Sequence, residues 1–321
     1  VTEPPRRASA LESVVRILLT AVATVAVLAS LLTYPEGVPW LAGLWLLAYA
    51  LLTARSRRGT LVLAGLLAVG LVKRVDASPA TLLLGVLLAG TVGLETAYTL
   101  RRRPAPWPWL RVLLLAVAWL LLVVEASRTG HTSRRLPLDP ERPIVCLGDS
   151  LSANGYPLEL ARIVRVPVLD LSAPGVSARQ TLKLLPRVRE ARPQVLVIEL
   201  GGHEFLHGDS RADAKARLLE IIGAGRDAGA EIVLFEIPRG FIVDAYAGLE
   251  RQLARENDLE LIPDGAIRSL VLFSQDGLLA PFTSAPPLSD DGLHPNANGH
   301  RFLCEHVARA LRRLYGDAIF K

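Results

Sequence analysis

Two short segments, Gly148-Asp149-Ser150-Leu151 and Asp291-Gly292-Leu293-His294-Pro295, hold the residue types needed to make a nucleophile. A serine hydroxyl is weak until a neighbouring imidazole takes its proton, and the imidazole needs a carboxylate to fix its tautomer. Ser150, His294 and Asp291 supply those three parts, and their chemistry would be attack on a carbonyl with transfer of an acyl group to the serine. Asp291 and His294 stand three residues apart in a glycine-containing loop ahead of the last helix, so one turn can present both side chains to the same crevice.

The surroundings of Ser150 decide how its segment is read. Residues 144–147 form a short apolar run between Pro143 and Gly148, which predicts a buried strand, and helical spacing follows over 151–164. Ser150 then stands on a strand-to-helix turn, at the carboxyl end of a sheet and near the positive end of a helix dipole. A bare Gly-Asp-Ser says little by itself. Gly208-Asp209-Ser210 has the same residues with no strand leading into it, and Ser210 reads as the N-cap of a helix over 211–226. Asp149 reads as a structural residue that binds backbone N–H groups of the turn.

At these residues the chain resembles the SGNH family, also called GDSL esterases and lipases, over roughly residues 143–314. The family carries its nucleophile in a Gly-Asp-Ser block and its acid and base in an Asp-x-x-His-Pro block, which match Ser150, Asp291 and His294; the same spacing selects Asp291 over Asp290. The resemblance implies an oxyanion hole made by the backbone N–H groups of Ser150 and Gly175, the latter in Ser172-Ala173-Pro174-Gly175-Val176-Ser177. It also implies a third donor, usually the Asn of Gly-x-Asn-Asp. Here the chain departs from the pattern and has Gly201-Gly202-His203-Glu204. A neutral imidazole can donate one hydrogen bond, so His203 is the expected replacement; in the other register Glu204 would occupy the donor position, where its charge would repel an oxyanion. His203, Glu204 and His207 lack the His-Glu-x-x-His register that puts two imidazoles on one helical face, so no metal is expected, and no cofactor.

The elements that must position these residues follow from periodicity. Strand-like runs at 144–147, 166–171, 195–200 and 232–237, with a possible fifth at 259–262, alternate with helical spacing over 178–190, 211–226, 245–256 and 297–314. Such alternation implies an α/β domain with a parallel sheet covered on both faces, and the resemblance implies the flavodoxin-like three-layer form. Cys146 and Cys304 are flanked by apolar residues and read as buried free thiols.

The first part of the chain is a different material. Hydrophobic residues make up 51% of the whole, and the excess lies in five apolar stretches at 14–33, 38–54, 60–72, 81–98 and 109–125. Most approach the ~20 residues needed to span a bilayer, and they lack the polar face of a surface helix. The expected organisation is an all-α transmembrane bundle over 1–127, a linker over 128–141 and the hydrolase domain over 142–321. The third stretch is short and needs Lys73 and Arg74 as snorkelling anchors, or else tilts or re-enters. The first is too long for a cleaved signal segment and leads into further spans. Arginines at 6, 7, 16, 55, 57, 58 and 101–103 flank alternate stretches, so the positive-inside rule puts the amino terminus in the cytoplasm and the catalytic domain outside it; Lys73, Arg74, Arg128, Arg134 and Arg135 pull the other way. The net charge of +5 owes much to these arginines and suits anionic lipid headgroups rather than nucleic acid.

The function expected is a membrane-anchored serine esterase acting on an acetylated glycan or lipid ester. Two alternatives accompany it: an acyltransferase that passes the acyl group to a glycan or lipid hydroxyl, and a catalytically weak binding subunit, which only the altered third block favours.

Overall fold

The computed structural model describes residues 136–240, 245–246 and 248–321, together with a few isolated earlier positions. By its internal contacts the chain falls into two units, Val1–Ala126 and Ser127–Lys321. The five apolar stretches and their flanking arginines lie outside the described residues. Among the described residues no helix is long and apolar enough to cross a membrane.

Five strands alternate with helices in the second unit. In chain order they are β1 (Ile144–Gly148), α1 (Tyr156–Ile163), β2 (Val168–Asp170), α2 (Ala178–Thr181), α3 (Leu185–Ala191), β3 (Val195–Glu199), α4 (Gly202–Leu206), α5 (Arg211–Asp227), β4 (Glu231–Phe235), α6 (Leu249–Asn257), β5 (Glu260–Ile262), α7 (Gly265–Leu272) and α8 (Ala297–Tyr315). The strands pair in the order β2-β1-β3-β4-β5, and every pairing is parallel. The order reverses between β1 and β3, which opens a crevice at their carboxyl ends, the usual ligand position of such sheets.

The strands read as near-continuous apolar runs because both faces are covered. Alternation sends Val145, Leu147, Leu196, Ile198, Ile232 and Leu234 to one face, against Leu185 of α3, Leu218 and Ile221 of α5 and Leu253 of α6. Ile144, Cys146, Val195, Val197, Val233 and Phe235 face the other way, against Leu160 of α1, Leu270 of α7 and Val307 and Leu311 of α8. The result is the three-layer α/β arrangement expected from the sequence.

Several local expectations are corrected. Helix does not begin directly after Ser150: residues 151–155 form a turn, Asn154 takes a left-handed φ of 55°, and α1 starts only at Tyr156, with Pro157 in its first turn. The nucleophile candidate is therefore separated from the helix end by a structured turn. Pro186 breaks the helix expected over 178–190, since its missing N–H ends one segment and begins another; a 3-10 turn, Leu182–Leu184, joins α2 to α3. Helices α4 and α7 were not expected, whereas Ser210 does cap α5 by accepting from Asp213 N–H at 3.1 Å. The stretch read as linker is docked from Leu136 onward: its N–H donates to Leu314 O of α8 at 3.0 Å, and Gln194 exchanges hydrogen bonds with the Asp139 backbone at 3.2 and 2.8 Å.

Ile221 lies fully buried between α5 and the sheet. Its replacement by Ala is expected to cost about 2–5 kcal/mol, read as a lower denaturation midpoint with an unchanged slope.

Candidate active site

Ser150 is half-buried on the turn that leaves β1. That turn is held by its neighbours. Asp149 is 6% exposed, and its carboxylate Oδ1 accepts the Leu151 N–H at 2.9 Å while its carbonyl accepts from Ser152 and Ala153 at 3.2 and 3.0 Å. Asp149 thus has the structural role read from the sequence.

Asp291 and His294 sit on the loop before α8. Asp291 Oδ2 lies 2.7 Å from His294 Nδ1, while Oδ1 accepts from the backbone N–H groups of Leu293 and His294 at 2.9 and 2.7 Å and from Ser289 Oγ at 3.1 Å. The His294 hydrogen bond, and then those two backbone N–H groups, hold the Asp291 carboxyl far below the usual carboxylate range. Asp290 faces elsewhere, accepting from Asn296 Nδ2 at 2.7 Å. The Asp291 hydrogen bond to Nδ1 leaves Nε2 of His294 as the nitrogen free to exchange protons with a substrate or a hydroxyl.

Among the described residues Ser150 and His294 share no hydrogen bond. What draws their segments together is the start of α8: the His300 ring lies against Gly155, where a Cβ would stand 2.1–2.7 Å from three ring atoms. Only glycine permits that approach, five residues beyond Ser150. The final helix therefore closes directly onto the turn beside Ser150.

The second and third blocks line the same rim. Ala173 N–H donates to Gly148 O at 3.1 Å and Ser172 N–H to Asp170 Oδ1 at 2.9 Å, which ties the Gly175 loop to the ends of β1 and β2. Gly175 has φ of 74°, and its loop runs into α2, where Ser177 and Gln180 form a capping box. Glu204 of the altered block faces the start of α2. It is fully buried, and its Oε1 accepts the Ala178 N–H at the start of α2, so it braces the Gly175 loop rather than facing the crevice. His203 points the other way, with Nε2 3.7 Å from Asp149 Oδ2. Ahead of it Gly201, at φ of 126°, receives Arg239 Nε–H on its carbonyl at 2.9 Å.

Sequence reasoning missed Glu199 and Arg239 beside this rim, and weighed Glu204 only as the alternative to His203. Glu204 had a signal, since a carboxylate in the register opposed to an oxyanion has to point away. The thiols do not compete as nucleophiles: Cys146 and Cys304 are free and buried, and burial pushes the Cys304 thiol up to about 12 and that of Cys146 higher still.

A parallel α/β sheet with a serine on the turn after β1 and a His–Asp pair on the loop before α8 is an arrangement compatible with hydrolase chemistry. Residues 146–302 match the GDSL-like Lipase/Acylhydrolase family. A thioesterase 1/protease 1/lysophospholipase L1 of Escherichia coli is 27% identical over 187 residues, covering 53% of this chain and 84% of the relative. An arylesterase of Vibrio mimicus is 27% identical over 187 residues, covering 52% of this chain and 87% of its own. The crystal structure of the psychrotrophic esterase EstA from Pseudoalteromonas sp. aligns with 54% of this chain and 98% of its own at 20% identity and a TM-score of 0.42. Over residues 146–302 the chain is similar to the GDSL/SGNH hydrolases, and these likenesses support an ester-hydrolysing enzyme of the serine hydrolase type.

Gly155→Ala forces a methyl group into the His300 ring, so it is expected to lower stability by about 1–3 kcal/mol in thermal or denaturant unfolding. His300→Ala in the same chain should return part of that loss.

Proposed function

We propose that this protein is a membrane-anchored serine esterase whose triad is Ser150, His294 and Asp291. The observation that carries the reading is the 2.7 Å contact between Asp291 Oδ2 and His294 Nδ1, on the loop that leads into α8, whose His300 ring packs against Gly155 five residues beyond Ser150. Ser150 Oγ attacks the ester carbonyl carbon while His294 Nε2 takes the hydroxyl proton, and Asp291 stabilises the imidazolium that forms. The tetrahedral oxyanion is met by the N–H groups of Ser150 and Gly175 and by the His203 ring. Collapse breaks the carbon–oxygen bond to the leaving alcohol, which receives the proton from His294 and leaves an acyl-Ser150. Water then attacks the acyl carbon, gives its proton to His294, and the acid departs as Ser150 is reprotonated.

The substrate class that suits this reading is an acetylated glycan or a lipid ester. The five apolar stretches would anchor the chain in the membrane, and the arginines between them favour an extracytoplasmic catalytic domain. A reporter fused after Lys321 should then be active only outside the cytoplasm. Activity confined to the cytoplasm would reverse that placement.

A fluorophosphonate probe is expected to label the full chain in detergent and to fail on Ser150→Ala; labelling that survives the substitution would remove Ser150 from the mechanism. His203→Asn should keep or raise the rate of ester hydrolysis, and His203→Ala should lower it by roughly 10²- to 10³-fold, as loss of one oxyanion donor does. Equal rates for all three proteins would exclude His203. Because Asp291 stays ionised far below the ordinary carboxylate range, its own protonation should not limit activity in mild acid, and Asp291→Asn should lower kcat in steady-state ester hydrolysis by removing the charge that stabilises the imidazolium.

A further inference from the structure

Beneath the Ser150 turn lies a carboxyl group that the mechanism above does not use. Glu199 closes β3, level with Gly148 of β1 in the register of the two strands, and is 1% exposed. Its Oε2 accepts the Asp149 N–H at 3.2 Å and the Ser152 hydroxyl at 3.0 Å. The packing around it is tight: a Cβ on Gly148 would stand 2.3 Å from Ser152 Oγ and 3.0 Å from Glu199 Oε2. The residues gripped by Oε2 flank Ser150 on either side.

We propose that Glu199 is a positioning residue for the nucleophile, holding Asp149 and Ser152 from below so that the Ser150 hydroxyl is presented at a fixed height above the sheet. The proposal rests on the reading of Ser150 as nucleophile. Both grips are made by one oxygen acting as acceptor, a task that a neutral carboxyl or an amide performs as well as a carboxylate. The neutral form is also the one the surroundings favour. Burial, and then the Asp149 carboxylate, hold the Glu199 carboxyl well above the usual range. The phenol of Tyr156, the other titratable group against it, is likewise pushed up by burial first and by Cys146 next. Asp149 is in turn the carboxylate 3.7 Å from His203, so the element that sets the nucleophile also faces the proposed third oxyanion donor.

The neutral form gives the proposal a sign in pH. The unfolded chain gives up this proton in the ordinary carboxylate range, whereas the folded chain keeps it. Stability on this account is greatest below that range and falls as pH rises toward the raised value. Glu199→Gln removes the proton and keeps the acceptor, so its advantage in melting temperature over wild type should grow with rising pH.

The test uses the full chain in detergent, with fluorophosphonate labelling rates and the kcat and KM for p-nitrophenyl acetate. Glu199→Gln should label close to the wild-type rate. Glu199→Ala should label about 10- to 100-fold more slowly, as a displaced nucleophile does, with kcat falling in step and KM unmoved. Alanine and wild-type proteins that label alike overturn the proposal, and so does a folded glutamine variant as slow as the alanine one. Should the alanine variant fail to fold, the pH series decides: a glutamine advantage that does not change with pH overturns the proposal, and one that grows supports it. Wild-type protein that takes no label removes the Ser150 reading and this one together. Labelled wild type with insensitive Glu199 variants removes only the role of Glu199.

Discussion

Strands β1 and β3 run parallel in register, from Ile144 opposite Val195 to Gly148 opposite Glu199. Because the two strands end level, the segments that leave them start from the same height on the rim. One segment carries Ser150 and the other carries Gly201, Gly202 and His203. The strand order reverses at this pair, so the helices that follow diverge to opposite faces and leave the rim open between them. A slip of one residue would turn Glu199 to the other face of the sheet and carry Asp149 and Ser152 away from its oxygen.

The rim is built largely from buried polar groups, which is uncommon for a sheet edge. Beside β4 and β5, Arg251 Nη2 lies 2.6 Å from Glu236 Oε2, the same oxygen takes the Asp264 N–H at 2.8 Å, and Arg268 Nε lies 2.6 Å from Asp264 Oδ2. Arg239 pairs with Glu250 and reaches across to Gly201. Pairs of this kind add little net stability, yet removing one partner leaves a buried charge and costs about 3–5 kcal/mol. Their effect is on shape. The paired charges tie these loops to one another, and the third block is held to that frame through the Arg239 bond to Gly201 O.

The sequence showed the architecture well and the site in outline. Parallel strands buried on both faces announce themselves as apolar runs, and the Asp291–His294 contact is legible because the two residues stand three apart in one short segment. The helix expected directly after Ser150 was misplaced because the helical spacing read over 151–164 belongs to its later part, whereas Gly155 and Pro157 move the helix start to Tyr156. The bracing residues were hidden for a different reason. Glu199 reads as the polar end of an apolar strand, and its partners Asp149 and Ser152 are some fifty positions away in the chain. Glu204 meets Ala178 and Arg239 meets Gly201 across 26 and 38 positions. Such contacts follow from tertiary packing and leave no local pattern.

The seating of the His300 ring on Gly155 joins the start of the final helix to the turn beside Ser150. Since a ribosome delivers Ser150 long before that helix, the turn beside it has no ring to pack on until the end of the domain is made. The contact then forms as one late event, when α8 docks, and a chain stalled before that point lacks it.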